Sequence, residues 1–390
     1  MVQKRGVRKI VEATVERCAV TNGISFELLL TRLAAGLRAF AKEEGKRVKA
    51  TATHLVDAVA SLRQAMMRGP NCKQTSERLA VKEVQLREYQ ASWKDKLHLM
   101  SGLRTELRGE VASQHLTVMV RARKACTQIA ELQTSSGVVS DSPGILRAAS
   151  AFFTEIFGRD RCQLEETWRP VKEKTLRAWE AEELSADWTE EEVKKAFSPM
   201  AAHKSPGKDD LPKELFEAHW DLLGKGFMAL AKDFAQTTVL STEVKEVVTI
   251  LLHKKGDKDQ LNNYRLVTLL NFTYKVLARV MADRMKRFLG RVISPEQYGF
   301  LPGRRLTDAV GLVTDIIDTA RNDNEGWFLL LVDFKKGFDL VSRGYLFRMM
   351  RAMGFPVRFV RWVEGLHEGT QTRLLVNGWM GEGMEVVSGV

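Results

Sequence analysis

The run WFLLLVDFKKGFD (327–339) combines residue types and spacing that point to metal-ion chemistry. An apolar strand that ends in an aspartate delivers a carboxylate at a sheet edge, where a hard cation such as Mg²⁺ takes oxygen ligands. Asp333 is that carboxylate, and Asp339 follows six residues later, after the aromatic Phe338. A strand-end aspartate also serves as a turn or helix cap, so the feature alone leaves both readings open. Charge adds a second feature: residues 253–305 hold 12 Lys+Arg against 4 acids. Cations at that density suit a phosphate-facing surface, and they equally suit a solvated basic loop.

Helices and short strands must position these groups. Residues 25–66 read as helix, with apolar residues at spacings of 3 and 4 and no proline. Gly69 and Pro70 break it, and a long polar, basic helical run opens near Ser76. By composition SSGVVSDSPG (135–144) is a loop, followed by an amphipathic helix in ILRAASAFFTEIFG. From about residue 188 the texture changes, with a helix capped at Thr189, a turn-rich HKSPGKDDLP, and a strand in VKEVVTILLHKKGD. A helix through NFTYKVLARVMADRMKRFLGRV, the strand WFLLLVDF and a hairpin around Asn377 and Gly378 complete an α+β pattern with strands on a buried sheet face. A domain boundary is expected between 160 and 187.

The bulk properties set the limits. A chain of 390 residues has room for two or three domains. No run approaches the roughly 20 apolar residues of a bilayer span, and no apolar stretch follows the charged N-terminus, so an intracellular protein without membrane partners is expected. Cys18, Cys72, Cys126 and Cys162 are too scattered for zinc or disulfide patterns. The net charge of +11 comes from residues 1–150, which hold 25 Lys+Arg against 14 Asp+Glu, while the remainder balances at 35 each. That bias fits a helical layer meeting a polyanion, or a solubilising surface.

The ordered series of motifs is more specific. KSPGKDDLPKELF (204–216), ILLHKKGDKDQLNNYRLVTLLNFTYKVLARVMADRM, PEQYGFLPGRRLTDAV, LVDFKKGFDLVSRGYLFRMMRAMGF and VNGWMGEGMEVVSGV occur in that order. Together they resemble the reverse transcriptases of non-LTR (LINE-type) retrotransposons, with group II intron reverse transcriptases as more distant relatives. The resemblance covers residues 188–390, and a weaker echo in 85–160 is similar to the helical linker such proteins carry after an endonuclease domain. It implies a basic helical linker region over 1–160, a connecting segment over 161–187, and an incomplete fingers and palm domain over 188–390.

It also implies roles. Asp333 matches the first metal-binding aspartate of the palm, with the Phe334 carbonyl on the same Mg²⁺ ion, and Phe338 matches the aromatic under the sugar of the incoming nucleotide. Arg265, assisted by Lys254 or Lys255, matches the fingers cations that grip the triphosphate, a task suited to a planar guanidinium. Gln297, Gly299, Phe300 and Arg304 match the motif that supports the template. An RNA template, a DNA primer or target and dNTPs are the implied partners, with residence in the nucleus or a cytoplasmic ribonucleoprotein.

Three positions depart from the family pattern: Leu266 for proline, Gly337 for alanine and Asp210 for glycine. No aspartate follows Asp339, and the acids beyond it are Glu364, Glu368, Glu382 and Glu385, none in a YADD context. The expected activity is RNA-directed DNA polymerisation by a longer protein, of which this chain is an inactive fragment. A non-catalytic nucleic-acid-binding protein derived from such an element is the alternative, and an unrelated helical adaptor would require the motif order to be coincidence.

Overall fold

The computed structural model describes residues 5–20, 25–68, 73–101, 128–135, 137–158, 175–322, 327–334 and 336–389. The chain divides into two compact units, one of residues 1–32 with 131–390 and one of residues 33–130. Cys72, Cys126, Cys162 and most of the expected connecting segment lie outside the described residues.

Three helices come first: α1 (Arg5–Val20), α2 (Phe26–Arg68) and α3 (Lys73–Ser101). The long helix expected over 25–66 is present as α2, whose residues from Leu33 onward fall in the second unit with α3. Within that unit Arg63 on α2 donates to Glu83 on α3 at 2.8 and 3.1 Å.

In the larger unit, 135–144 corrects the loop expectation. A short antiparallel hairpin, β1 (Leu132–Thr134) with β2 (Gly137–Val139), runs into α4 (Ser142–Phe157). Its turn places Gly137 at φ 117°, a backbone setting that glycine reaches without strain. Asp141 caps α4 by accepting from the Gly144 N–H at 2.8 Å.

Next come α5 (Ala178–Ser185) and α6 (Glu190–Phe197). Thr189 caps α6 as its sequence indicates, in a reciprocal capping box with Glu192. α7 (Lys213–Ala218), α8 (Trp220–Thr237) and α9 (Thr242–Lys245) lead into β3 (Glu246–His253) and β4 (Tyr264–Leu269). α10 (Phe272–Lys286), α11 (Leu289–Val292), α12 (Leu306–Asn322), α13 (Arg343–Ala352) and α14 (Val357–His367) precede a final hairpin of β5 (Gln371–Val376) and β6 (Trp379–Glu385).

The main sheet has the order β4-β3-β5-β6, with β3 antiparallel to β4 and parallel to β5. Thr249 on β3 ties three strands through its hydroxyl, 3.1 Å from Thr268 and 2.7 Å from Thr372. The β5–β6 turn uses Asn377 at φ 51° and Gly378 at φ 87°, the left-handed pair that matches strand twist. One aromatic cluster joins Phe197, Phe216, Trp220, Phe227 and Phe272, with Phe216 and Phe272 stacked at 4.3 Å. A second surrounds the fully buried Trp362, whose indole N–H donates to the Ala235 carbonyl at 2.9 Å.

Arg284 locks the helices around these clusters. It is 3% exposed and donates every N–H: two to Glu192 at 2.9 and 2.7 Å, and three to the carbonyls of Leu184, Ala186 and Asp187 at 3.1, 2.6 and 3.0 Å. α10 is thereby fastened to the end of α5 and the start of α6.

One strand expectation fails. Residues 327–334 form no ladder, and their apolar side chains are open to solvent, with Phe328 99% and Leu330 83% exposed. A continuous apolar run reads as a strand covered on both faces, which requires neighbours that no described strand supplies. α12 shows the same condition on a helix, since none of its residues is buried.

Candidate nucleotide and nucleic-acid site

The β3–β4 hairpin builds the first part of the site. His253 pairs with Tyr264 and Leu252 with Arg265, so Arg265 stands beside the end of β3 and Lys254 follows directly after it. The connecting turn is pinned from within. The Lys254 N–H donates to the Asn263 carbonyl at 2.9 Å, the Asn263 amide to the Asp257 carbonyl at 2.9 Å and the Tyr264 hydroxyl to the Lys258 carbonyl at 2.7 Å. Gly256 turns the chain at φ 83°. From the other hairpin, the Gln133 N–H donates to the Asp259 carbonyl at 2.9 Å.

Charge on this tip differs in kind from the rest of the basic segment. Of the cations counted between 253 and 305, Arg279 and Lys286 bond Asp283, Arg284 bonds Glu192, Arg287 bonds Glu183 and Arg291 pairs with Glu180. The pairs of Arg279 and Lys286 lie within α10, while those of Arg284, Arg287 and Arg291 reach α5 and α6 and hold helices together. Lys254, Lys255, Lys258 and Arg265 are exposed, and their charged groups have no hydrogen-bond or ion-pair partner among the described residues. The pinned turn therefore presents four solvated cations, with Asp257 and Asp259 as the acids of the same loop. Lys258 was not singled out from sequence, although the HKKGDKD run contains it.

The QYGFLPGR segment (297–304) forms a compact loop. Arg304 donates to the carbonyls of Ser294, of Gln297 at 2.6 Å and of Ile293 at 3.4 Å, so its guanidinium closes the loop on itself. The Gln297 amide reaches the Gly299 carbonyl at 3.3 Å. Phe300, at φ 64° and 90% exposed, meets Phe338 edge-on with ring centroids 5.9 Å apart. The loop and the DFKKGFD segment, distant in sequence, are thus brought into contact through two exposed aromatics. Gly337 beside Phe338 is tight: an added Cβ would come within 3.3 Å of the Phe334 Cβ, so alanine there needs a small shift.

Asp333 and Phe334 lie exposed in the unpaired extended segment, whereas Asp339 turns inward. Burial raises the Asp339 carboxyl, opposed by the ammonium of Lys336, which itself sits 4.8 and 5.0 Å above the rings of Phe152 and Phe153. Asp339 thereby behaves as a packed turn residue. Among the described residues no group of three or more His, Cys, Asp or Glu side chains could hold a metal ion. A two-metal phosphoryl-transfer centre needs carboxylates from more than one strand, and Asp333 with the Phe334 carbonyl does not by itself make one.

The 204–212 loop is fastened to the same sheet. Lys208 and Arg373 both bond the Glu246 carboxylate at the start of β3, and although burial pushes that carboxyl up, these two cations hold it below its usual range. Gly207 lies so close to Asn271 that a Cβ would meet its Oδ1 at 2.3 Å. Asn271 in turn donates to the carbonyls of Glu243, Val244 and Glu246 at 2.8, 3.2 and 3.3 Å and accepts from the Asp209 N–H at 3.2 Å. Asp210 adopts φ 60°. Leu266 lies on β4, an edge strand, where proline is also tolerated.

Comparison with known proteins places this geometry. Residues 252–384 match the family described as reverse transcriptase (RNA-dependent DNA polymerase). The chain is 31% identical over 254 residues to the Transposon TX1 uncharacterized 149 kDa protein of Xenopus laevis, covering 64% of this chain and 19% of that protein. It is 22% identical over 228 residues to the Pol polyprotein of the type-2 retrotransposable element R2DM of Drosophila melanogaster, covering 58% and 19%. A probable RNA-directed DNA polymerase from transposon BS of the same fly is 24% identical over 175 residues, covering 43% and 19%. The chain spans about a fifth of the length of these curated relatives. Over residues 252–384 this chain is therefore similar to the reverse transcriptase family, and the relatives it matches are proteins of non-LTR retrotransposons.

Proposed function

We propose that this chain is the fingers and part of the palm of an RNA-directed DNA polymerase, which copies an RNA template from a DNA primer or target with dNTPs and Mg²⁺. The observation that carries the reading is the pinned β3–β4 tip, whose four cations have no hydrogen-bond or ion-pair partner among the described residues, a ready receptor for a triphosphate. Arg265, with Lys254 and Lys255, grips the triphosphate. Phe338 lies under the nucleotide sugar, and Gln297, Gly299 and Arg304 support the template, Arg304 by shaping the loop rather than by touching phosphate. Asp333 and the Phe334 carbonyl contribute one side of the Mg²⁺ centre, whose other carboxylates come from strands beyond these residues. Those strands would also cover the apolar run 327–334 and α12.

Primer extension tests this. The 390-residue chain should bind a primer–template and incorporate no nucleotide; incorporation by this chain alone would overturn the divided metal centre. In a longer, active protein, Arg265→Ala should raise KM for dNTP far more than it weakens template binding, and equal losses would remove the triphosphate role. The alternative, a non-catalytic nucleic-acid-binding protein, draws on the exposed Asp333 having no metal-holding group around it among the described residues. It would be favoured if the longer reading frame also failed to polymerise while still binding RNA.

A further inference from the structure

A second cationic site lies away from the hairpin tip. Between the 200–214 loop and α10 is a cavity of about 460 Å³, within the size range of small-molecule sites. Its walls are largely apolar, including Met200, Leu270, Ala278 and Ala282, while Lys204, Lys213, Lys275 and Arg279 supply four cations against the single carboxylate of Glu214.

Two of those cations are already engaged. Lys213 donates to the carbonyls of Ser198 and Met200 at 2.9 and 2.7 Å, and Arg279 bonds Asp283 at 2.9 Å. The ammonium groups of Lys204 and Lys275 have no hydrogen-bond or ion-pair partner among the described residues. Lys275 is half-buried, and burial lowers its pKa against the opposing pull of Asp209. A cation so placed gains from an arriving anion. The loop is held in shape by the close seating of Gly207 on Asn271, and it accepts left-handed backbone at His203 and Asp210, φ 58° and 60°. Such settings persist where the surroundings over-determine them.

We propose that this cavity seats one nucleotide of a single-stranded RNA, its phosphate on Lys204 and Lys275 and its base against Met200, Leu270, Ala278 and Ala282. The assignment rests on the nucleic-acid reading above and adds a contact separate from the tip. Excess positive charge selects the phosphate, and the apolar wall gives an unstacked base a surface without sequence preference.

The test is photocrosslinking of the whole chain to a short single-stranded RNA carrying 4-thiouridine, with mass-spectrometric mapping. Crosslinks are expected in 200–214 and 275–282. The double variant Lys204→Ala/Lys275→Ala should reduce their yield about tenfold. Ala278→Leu, which fills the wall and leaves every charge in place, should abolish them while circular dichroism stays unchanged. Crosslinks confined to other segments would overturn the cavity site and leave the polymerase reading standing, whereas no crosslinks anywhere would count against both. Loss on removing the lysines but not on Ala278→Leu would overturn the base seat, as would equal competition by an acidic peptide of matched charge.

Discussion

At the scale of single residues, Asp210 occupies a left-handed backbone setting. Its φ of 60° is a setting that glycine adopts freely and aspartate adopts at a cost. Asp210→Gly should stabilise the fold by up to about 1 kcal/mol, offset in part by the freer unfolded chain, as read from denaturant midpoints. Its neighbour Asp209 carries a pH signature. Burial pushes its carboxyl up to about 6 from 3.8, with Asp210 adding to the rise and the Leu211 N–H and Lys275 opposing it. A raised acid binds its proton more tightly in the folded state, so stability is lost as pH climbs from about 4 to 6, on the order of 3 kcal/mol for a shift of this size. Asp209→Asn should flatten stability across that window; an unchanged pH profile would show that the carboxyl ionises freely.

At the scale of elements, what was legible in the sequence was local. Thr189 with Glu192 and Asn377 with Gly378 act through neighbours a few residues away, so the cap and the hairpin could be read directly. The β1–β2 hairpin was missed because a polar loop composition hides a three-residue strand pair. The segment 327–334 misled in the opposite direction, since its composition specifies burial but not the strand that provides it. Long-range pairing was invisible: Arg284 finds Glu192 across 92 positions, and a charge count treats such a cation as available to phosphate. Removing one partner of a buried, fully bonded charge typically costs 3 to 5 kcal/mol. Arg284→Ala should fall in about that range by chemical denaturation, and Arg284→Lys should recover little because one ammonium cannot replace five forked donors. A loss near zero would mean that α10 is held by its apolar face alone.

At the scale of the whole molecule, positive charge is in excess over the first 150 residues and balanced over the rest, so net charge alone does not mark the candidate site. What distinguishes the site is which cations lack internal partners. Among the described residues, Lys254, Lys255, Lys258 and Arg265 stand together without such partners on the β3–β4 tip, while Arg284, Arg287 and Arg291 of the same stretch tie helices together. The motifs were readable as a series because each is short and contiguous; their meeting, as of Phe300 with Phe338, was not. The central claim is that this tip receives a triphosphate. Its most direct test is titration of the 390-residue chain with a fluorescent dNTP in Mg²⁺, beside the matching nucleoside and beside the variant Lys254→Ala/Lys255→Ala/Lys258→Ala/Arg265→Ala. The account predicts that the triphosphate binds, the nucleoside does not, and the variant loses at least about tenfold in affinity. Equal binding of triphosphate by wild type and variant would contradict it.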